Sequence, residues 1–90
     1  MSKIYKEHLI WKRIDRDKTA IRFNCFEILG ENKFCVQGVD HFSLPVDDNQ
    51  IRNFNNQYIE LLIEDSPENR SDLYDTLEDA IIFYEREFLD

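Results

Sequence analysis

Between Thr19 and Leu44 the chain reads as a long β-hairpin, and no other stretch limits the fold as much. An apolar, aromatic-rich run, Ala20–Leu29, leads into a tight loop, Gly30-Glu31-Asn32, and a second run, Lys33–Leu44, leads out. Phe23, Cys25, Phe26, Ile28, Phe34, Cys35, Val36, Val39 and Phe42 are aromatic, β-branched or small apolar types that fit a pleated surface. A three-residue loop favours a type I turn followed by a left-handed residue. Asn32 stands at that last position, and Asn tolerates it well. If Leu29 faces Lys33, then Ile28 faces Phe34, Phe26 faces Val36 and Arg22 faces Asp40. Two apolar pairs and one ion pair on a face is what cross-strand energetics favours, at roughly 0.2–1 kcal/mol per pair.

The alternation changes phase along the hairpin. Near the loop the even positions are apolar (Phe26, Ile28, Phe34, Val36); farther away the odd ones are (Ile21, Phe23, Val39). Either a bulge near Cys25 or Gly38 resets the faces, or the far end is covered on its other side. A side left uncovered by a helix would present Ile21, Phe23 and Val39 as a patch for a second subunit.

Ahead of the hairpin, His8–Ile14 is apolar and β-rich, and the charged stretch Asp15–Lys18 supplies a turn. Residues 1–7 are expected to be a frayed end or short edge strand. A strand over 8–14 makes the sheet a meander. A helix through Ile4, His8, Trp11 and Ile14 is the competing reading, because that spacing also suits a 3.6-residue period.

After the hairpin, Leu44-Pro45 ends the strand, since proline donates nothing to a ladder. Asp47 or Asp48 is suited to start a helix. Ile51, Phe54, Tyr58, Leu61 and Leu62 are spaced as a helical stripe, yet Ile59, Leu61 and Ile63 alternate as in a strand. The amides of Asn53, Asn55, Asn56 and Gln57 weaken a helix through the middle. The reading taken is a helical turn near Asp48–Asn53 followed by a strand Tyr58–Glu64; the rival is one helix from Asp48 to about Glu64. Asp65–Asp72 is a loop by composition, and Leu73 and Tyr74 form an apolar island after it.

The last element is a helix. Asp75 or Thr76 serves as N-cap, and Thr76-Leu77-Glu78-Asp79 resembles a capping box with Asp in place of Glu. Leu77, Ala80, Ile81, Tyr84 and Phe88 form one stripe, widened by Ile82 and Phe83. If fully buried, Leu77, Ile81 and Phe88 would each cost about 2–5 kcal/mol on truncation to Ala. The fold expected over residues 1–90 is therefore a single small acidic α+β domain. It is an antiparallel meander of three to four strands with the C-terminal helix on one face.

Charge divides the chain. Residues 1–44 hold eight Lys/Arg and six Asp/Glu, a balance of +2; residues 45–90 hold three Arg and thirteen Asp/Glu, a balance of −10. The C-terminal half repels phosphate backbones and anionic lipid surfaces, which argues against nucleic-acid and membrane partners. No apolar run approaches the ~20 residues of a membrane span. Met1–Glu7 has no apolar core of a secretory signal, and the Asn69-Arg70-Ser71 acceptor tripeptide then has no glycosylation context. With only Cys25 and Cys35, reduced buried thiols and a cytoplasmic location are expected.

No motif carries catalysis or metal binding. His8, Cys25, Cys35, Asp40 and His41 lack the spacing of a zinc site, and Asp65–Asp72 lacks the glycine and ligand spacing of a calcium loop. His41 lies several pairs from Cys25, and Asp40 and His41 point to opposite faces, so neither arrangement makes a nucleophile–base pair. Gly30 and Gly38 cannot build a phosphate-cradling loop, so no cofactor is expected. Trp11, Tyr58, Tyr74 and Tyr84 are aromatic types enriched at interfaces. The expected function is non-enzymatic protein binding or inhibition, with a basic protein as partner, as composition alone suggests for small acidic immunity-type domains. The candidate residues are Tyr58, Glu64, Asp65, Glu68, Asp72, Tyr74 and Asp75. Two further readings stand beside it. One is a ligand-binding or catalytic pocket between sheet and helix near Trp11, His41 or Tyr84. The other is a homodimer paired through an open sheet edge.

Overall fold

The computed structural model describes residues 3–89; Met1, Ser2 and Asp90 lie outside the described residues. Three antiparallel strands form a meander in the order β1-β2-β3, with β1 at Tyr5–Ile14, β2 at Thr19–Ile28 and β3 at Lys33–Ser43. The helices follow: α1 (Asp48–Glu64), a single turn α2 (Pro67–Arg70), and α3 (Leu77–Tyr84), which runs on into a π-helical turn Glu85–Leu89. The expected α+β meander with a C-terminal helix on one face is thus what the chain forms. The stretch 8–14 is strand, as read.

β2 is the centre of the molecule, and it is buried on both sides. Its odd residues Ile21, Phe23 and Cys25 pack with Val36 and Ala80, and Leu77, Ile81 and Tyr84 of α3 close over them. Its even residue Phe26 packs with Cys35, Tyr58 of α1, Tyr5 and Leu62. Alternation along a strand sends successive side chains to opposite faces, so one strand feeds two small cores. One lies under α3 and the other under α1.

The phase change has its origin in β3. Asn24 pairs with Gly38 but Cys25 pairs with Val36, so Gln37 is an extra, bulged residue. Beyond the bulge Arg22 faces Asp40, as expected. On the loop side the register is shifted by one: Phe26 faces Cys35 and Ile28 faces Lys33, in place of the expected Val36 and Phe34. The loop is also longer than expected, since Leu29 leaves the strand. Gly30 at φ 90° and Asn32 at φ 52° take the left-handed positions, which Gly and Asn accept at least cost.

Residues 48–64 are one helix, which corrects the turn-plus-strand reading. Asp47 accepts from the Asn49 backbone N at 2.9 Å, capping the start. The stripe supplies the rest: Tyr58 stacks on Phe26 with centroids 5.5 Å apart, and Phe54 meets Phe42 edge-on at 5.4 Å. Each amide residue costs roughly 0.5 kcal/mol of helix propensity, less than burying one large aromatic returns, about 1.5–3 kcal/mol. Ile59 and Ile63, which gave the strand-like alternation, are 50% and 78% exposed.

The expected loop 65–72 contains α2, whose first residue, Pro67, is buried. Tyr74 of the apolar island closes part of the β3 edge. Its backbone exchanges two hydrogen bonds with Phe34, both 2.8 Å.

Candidate partner-binding surface

α3 starts where the sequence says it should. The Thr76 hydroxyl accepts from the Asp79 backbone N at 3.0 Å, and Glu78 and Asp79 occupy the first turn, where the helix dipole favours anions. Leu77, Ala80, Ile81 and Tyr84 recur at helical spacing and pack onto the sheet. The outer face is not polar. Ile82 and Phe83 are 47% and 42% exposed, and Phe88 is 63% exposed. This corrects the expectation that Phe88 continues the buried stripe and that Ile82 and Phe83 widen it. The helix relaxes to π pitch after Tyr84, and the wider turn carries Phe88 off the stripe.

The exposed rings are organised. Phe83 stacks on Tyr74 with centroids 5.2 Å apart and planes 9° from parallel, and the Arg86 guanidinium lies 5.4 Å over Phe83. Phe88 sits 4.7 Å from the ring of Tyr84. Between the β3 edge, α2 and α3 runs an open groove of about 370 Å³, lined among others by Arg70, Asp72, Tyr74, Tyr84, Glu87 and Phe88. Partial burial, then Asp72 and Glu87, push the Tyr74 hydroxyl upward from its ordinary range. Asp72, Glu78, Asp79 and Glu87 enter no ion pair with the described residues, whereas Asp75 binds Lys33 and Glu85 binds Lys12 at 2.6 Å. The surface is an apolar, aromatic centre in a ring of carboxylates, most of them uncompensated.

The candidates read from sequence divide between two places. Asp72, Tyr74 and Asp75 belong to this surface. Tyr58 does not: it is 9% exposed beneath α1 and donates its hydroxyl to Glu7 at 2.6 Å. Glu68 is held by Tyr5, which donates at 2.5 Å, and by Lys3 at 3.1 Å. Burial alone would raise its carboxyl, but the bonds from Tyr5 and Lys3 outweigh this and hold it low. Asp65, the C-cap residue of α1, ties the turn into α2, accepting from the Ser66 backbone N at 2.8 Å and from Asn69 at 2.9 Å, and Glu64 faces Arg70 at 3.8 Å. Glu64 and Asp65 knit the α1–α2 corner, and Glu68 ties α2 to the start of β1. Phe83, Phe88, Glu78, Asp79 and Glu87 were missed. The signal was present, since Leu77–Leu89 holds more apolar residues than one helical face can bury.

The patch proposed at Ile21, Phe23 and Val39 is also corrected. Ile21 and Phe23 are 6% and 1% exposed under α3, with Val39 packed at their side. Cys25 and Cys35 lie on opposite faces of the sheet, both free and fully buried. Burial pushes the Cys25 thiol up to about 12 and the Cys35 thiol up to about 11, the reverse of what a nucleophile needs. His8 bonds Glu27 at 3.0 Å, and exposed His41 faces Ile21 across the strand pair. Among the described residues no three His, Cys, Asp or Glu come together as metal ligands, and no helix is long and apolar enough to cross a membrane.

No family model matches this chain, and no curated protein or solved structure shows significant similarity to it.

Proposed function

We propose that this chain is a non-enzymatic protein-binding module of inhibitory type. It works in the cytoplasm and engages a basic partner through the outer face of α3. One observation carries the reading: the Tyr74–Phe83 stack, with Phe83 exposed, stands beside Asp72 and Glu87, carboxylates that enter no ion pair with the described residues. An aromatic anchor supplies desolvation energy, and the surrounding charge raises the association rate and rejects acidic competitors. The first half of the chain, with its balance of +2, is the scaffold that presents the acidic half.

The test is capture of partners at low salt with wild-type protein and with Phe83→Ala, followed by binding measurements on the purified pair. The partner should be basic, Phe83→Ala should weaken it by about tenfold or more, and added salt should slow its association. A partner without a basic surface, or one indifferent to both changes, would overturn the reading.

A further inference from the structure

Beside the Phe26–Tyr58 core, the face of the sheet beneath α1 turns polar. Arg22 and Asn24 are 6% and 4% exposed. Asp40 Oδ2 accepts from Arg22 Nη2 and from Asn24 Nδ2, both at 2.9 Å. The Arg22 guanidinium lies over the Trp11 and Phe42 rings, 5.9 and 5.4 Å from their centroids. The bulged residue Gln37 donates Nε2 to the Tyr58 carbonyl at 3.3 Å. These donations orient both amides, leaving Asn24 Oδ1 and Gln37 Oε1 as acceptors. Each oxygen is buried and has no hydrogen-bond partner among the described residues.

Asn24 and Gln37 line the same cleft, a space of about 200 Å³ between β2, β3 and α1, with Asp40, Gln57, Phe54 and Tyr58 around it. Each unanswered acceptor costs about 1–3 kcal/mol. That is a heavy charge against the ~5–15 kcal/mol stability of an ordinary domain, unless something supplies the donors. The chemistry narrows what that is. It must bring N–H or O–H groups. It must be neutral, because Arg22 already compensates Asp40 and a cation would leave buried positive charge. It must be small, since the cleft falls short of the ~300–1,000 Å³ of drug-sized pockets. It must be flat enough to lie against Phe54 and Tyr58.

We propose that this cleft binds a small neutral planar molecule bearing a primary carboxamide, whose N–H groups donate to Asn24 Oδ1 and Gln37 Oε1. Since neither oxygen has exposed surface, the ligand enters as α1 rides outward. Tyr58 is the buried residue of that helix, and its stack on Phe26 and bond to Glu7 are the contacts that the movement loosens.

Benzamide is the probe, with N,N-dimethylbenzamide lacking the donors and benzamidinium adding a charge. Proton–nitrogen correlation spectra of the full chain should show saturable shifts with benzamide. They should centre on the Asn24 and Gln37 side-chain amides and on the α1 backbone around Tyr58. The dimethyl and cationic analogues should bind at least tenfold more weakly, and Gln37→Met should lose benzamide affinity by a similar factor. Asn24→Leu, which removes the other acceptor at nearly constant volume, is the second variant, to be used if Gln37→Met fails to fold, and the same loss is expected of it. Absence of a saturable shift means that buried water alone answers the two oxygens, and it overturns the proposal. So does equal binding of the dimethyl analogue, tighter binding of benzamidinium, or wild-type affinity in the folded variant.

Discussion

Two phenylalanines show how differently one side chain behaves in this molecule. Phe23 is 1% exposed at the crossing of β2 and α3, whereas Phe83 is 42% exposed on the far side of that helix. Phe23→Ala should cost about 3–5 kcal/mol in denaturant unfolding. Phe83→Ala, which loses the half-exposed stack on Tyr74, should cost only about 0.5–1.5 kcal/mol, so that the variant stays folded while its loss of binding is read. Equal effects of the two would mean that the outer ring is structural. The thiols give a second residue-scale prediction. Burial raises both in the folded state, to about 12 for Cys25 and about 11 for Cys35, from an ordinary 9.0. A raised folded value means that the unfolded chain releases its protons first. The stability is therefore whole below pH 9 and is lost as pH rises toward 11 and 12. Burial, then the bond to Glu7, also raises the Tyr58 hydroxyl, which adds to the same alkaline loss. Denaturant titrations on either side of pH 9 check this, and an unchanged unfolding free energy through the alkaline window would contradict it.

At the scale of elements, the bulge at Gln37 decides which face β3 gives to each core. Deleting Gln37 would join a regular ladder in which Val36 and Val39 stand two apart, so each residue of β3 keeps its partner on β2 and its face, since strand alternation has a period of two. The variant is expected to remain folded by circular dichroism and by amide spectra, and Thr76→Ala, which removes only the α3 cap, should cost about 1 kcal/mol. An unfolded deletion variant would show that the bulge itself, and not only the face assignment it brings, is required. This element also marks how far the sequence could be read. The phase change between Phe34, Val36 and Val39 was visible, and so was the Arg22–Asp40 pair beyond it. The strand carrying the extra residue was not, because β2 is buried on both faces and its even apolar residues mimic a second change of phase. In α1 the run Ile59-Glu60-Leu61-Leu62-Ile63 satisfies both periods at once. Only the sheet face waiting for Phe54 and Tyr58 decides between them, and that is not local information. The candidate surface was half legible for the same reason. Asp72, Tyr74 and Asp75 stand out by composition, whereas Phe83 and Phe88 emerge only once the sheet has taken its share of the apolar stripe. The cleft oxygens of Asn24 and Gln37 had no sequence signal at all.

On the scale of the whole molecule, the same charges act with opposite sign on folding and on binding. The net charge is −8, and the C-terminal half alone carries a balance of −10. The ion pairs that tie this half to the sheet, such as Lys12–Glu85 and Lys33–Asp75, are largely exposed, and pairs of that kind contribute about 0–1 kcal/mol. They do not offset the mutual repulsion of the remaining carboxylates. Added salt shortens the screening length from ~30 Å at 0.01 M to ~8 Å at 0.15 M. Over that range it should raise the melting temperature, because self-repulsion in a chain far from neutrality is relieved. The same salt should weaken the complex with a basic partner, mainly by slowing association. Melting curves and association rates measured over one salt series separate the two effects. If the complex and the fold both strengthen with salt, the contact is carried by the apolar centre of α3 without its carboxylate rim. If both weaken, exposed ion pairs hold the fold together and the acidic half is not the strained, partner-seeking surface argued for it. Opposite slopes in one series are the outcome that only an acidic binding face on a neutral scaffold produces.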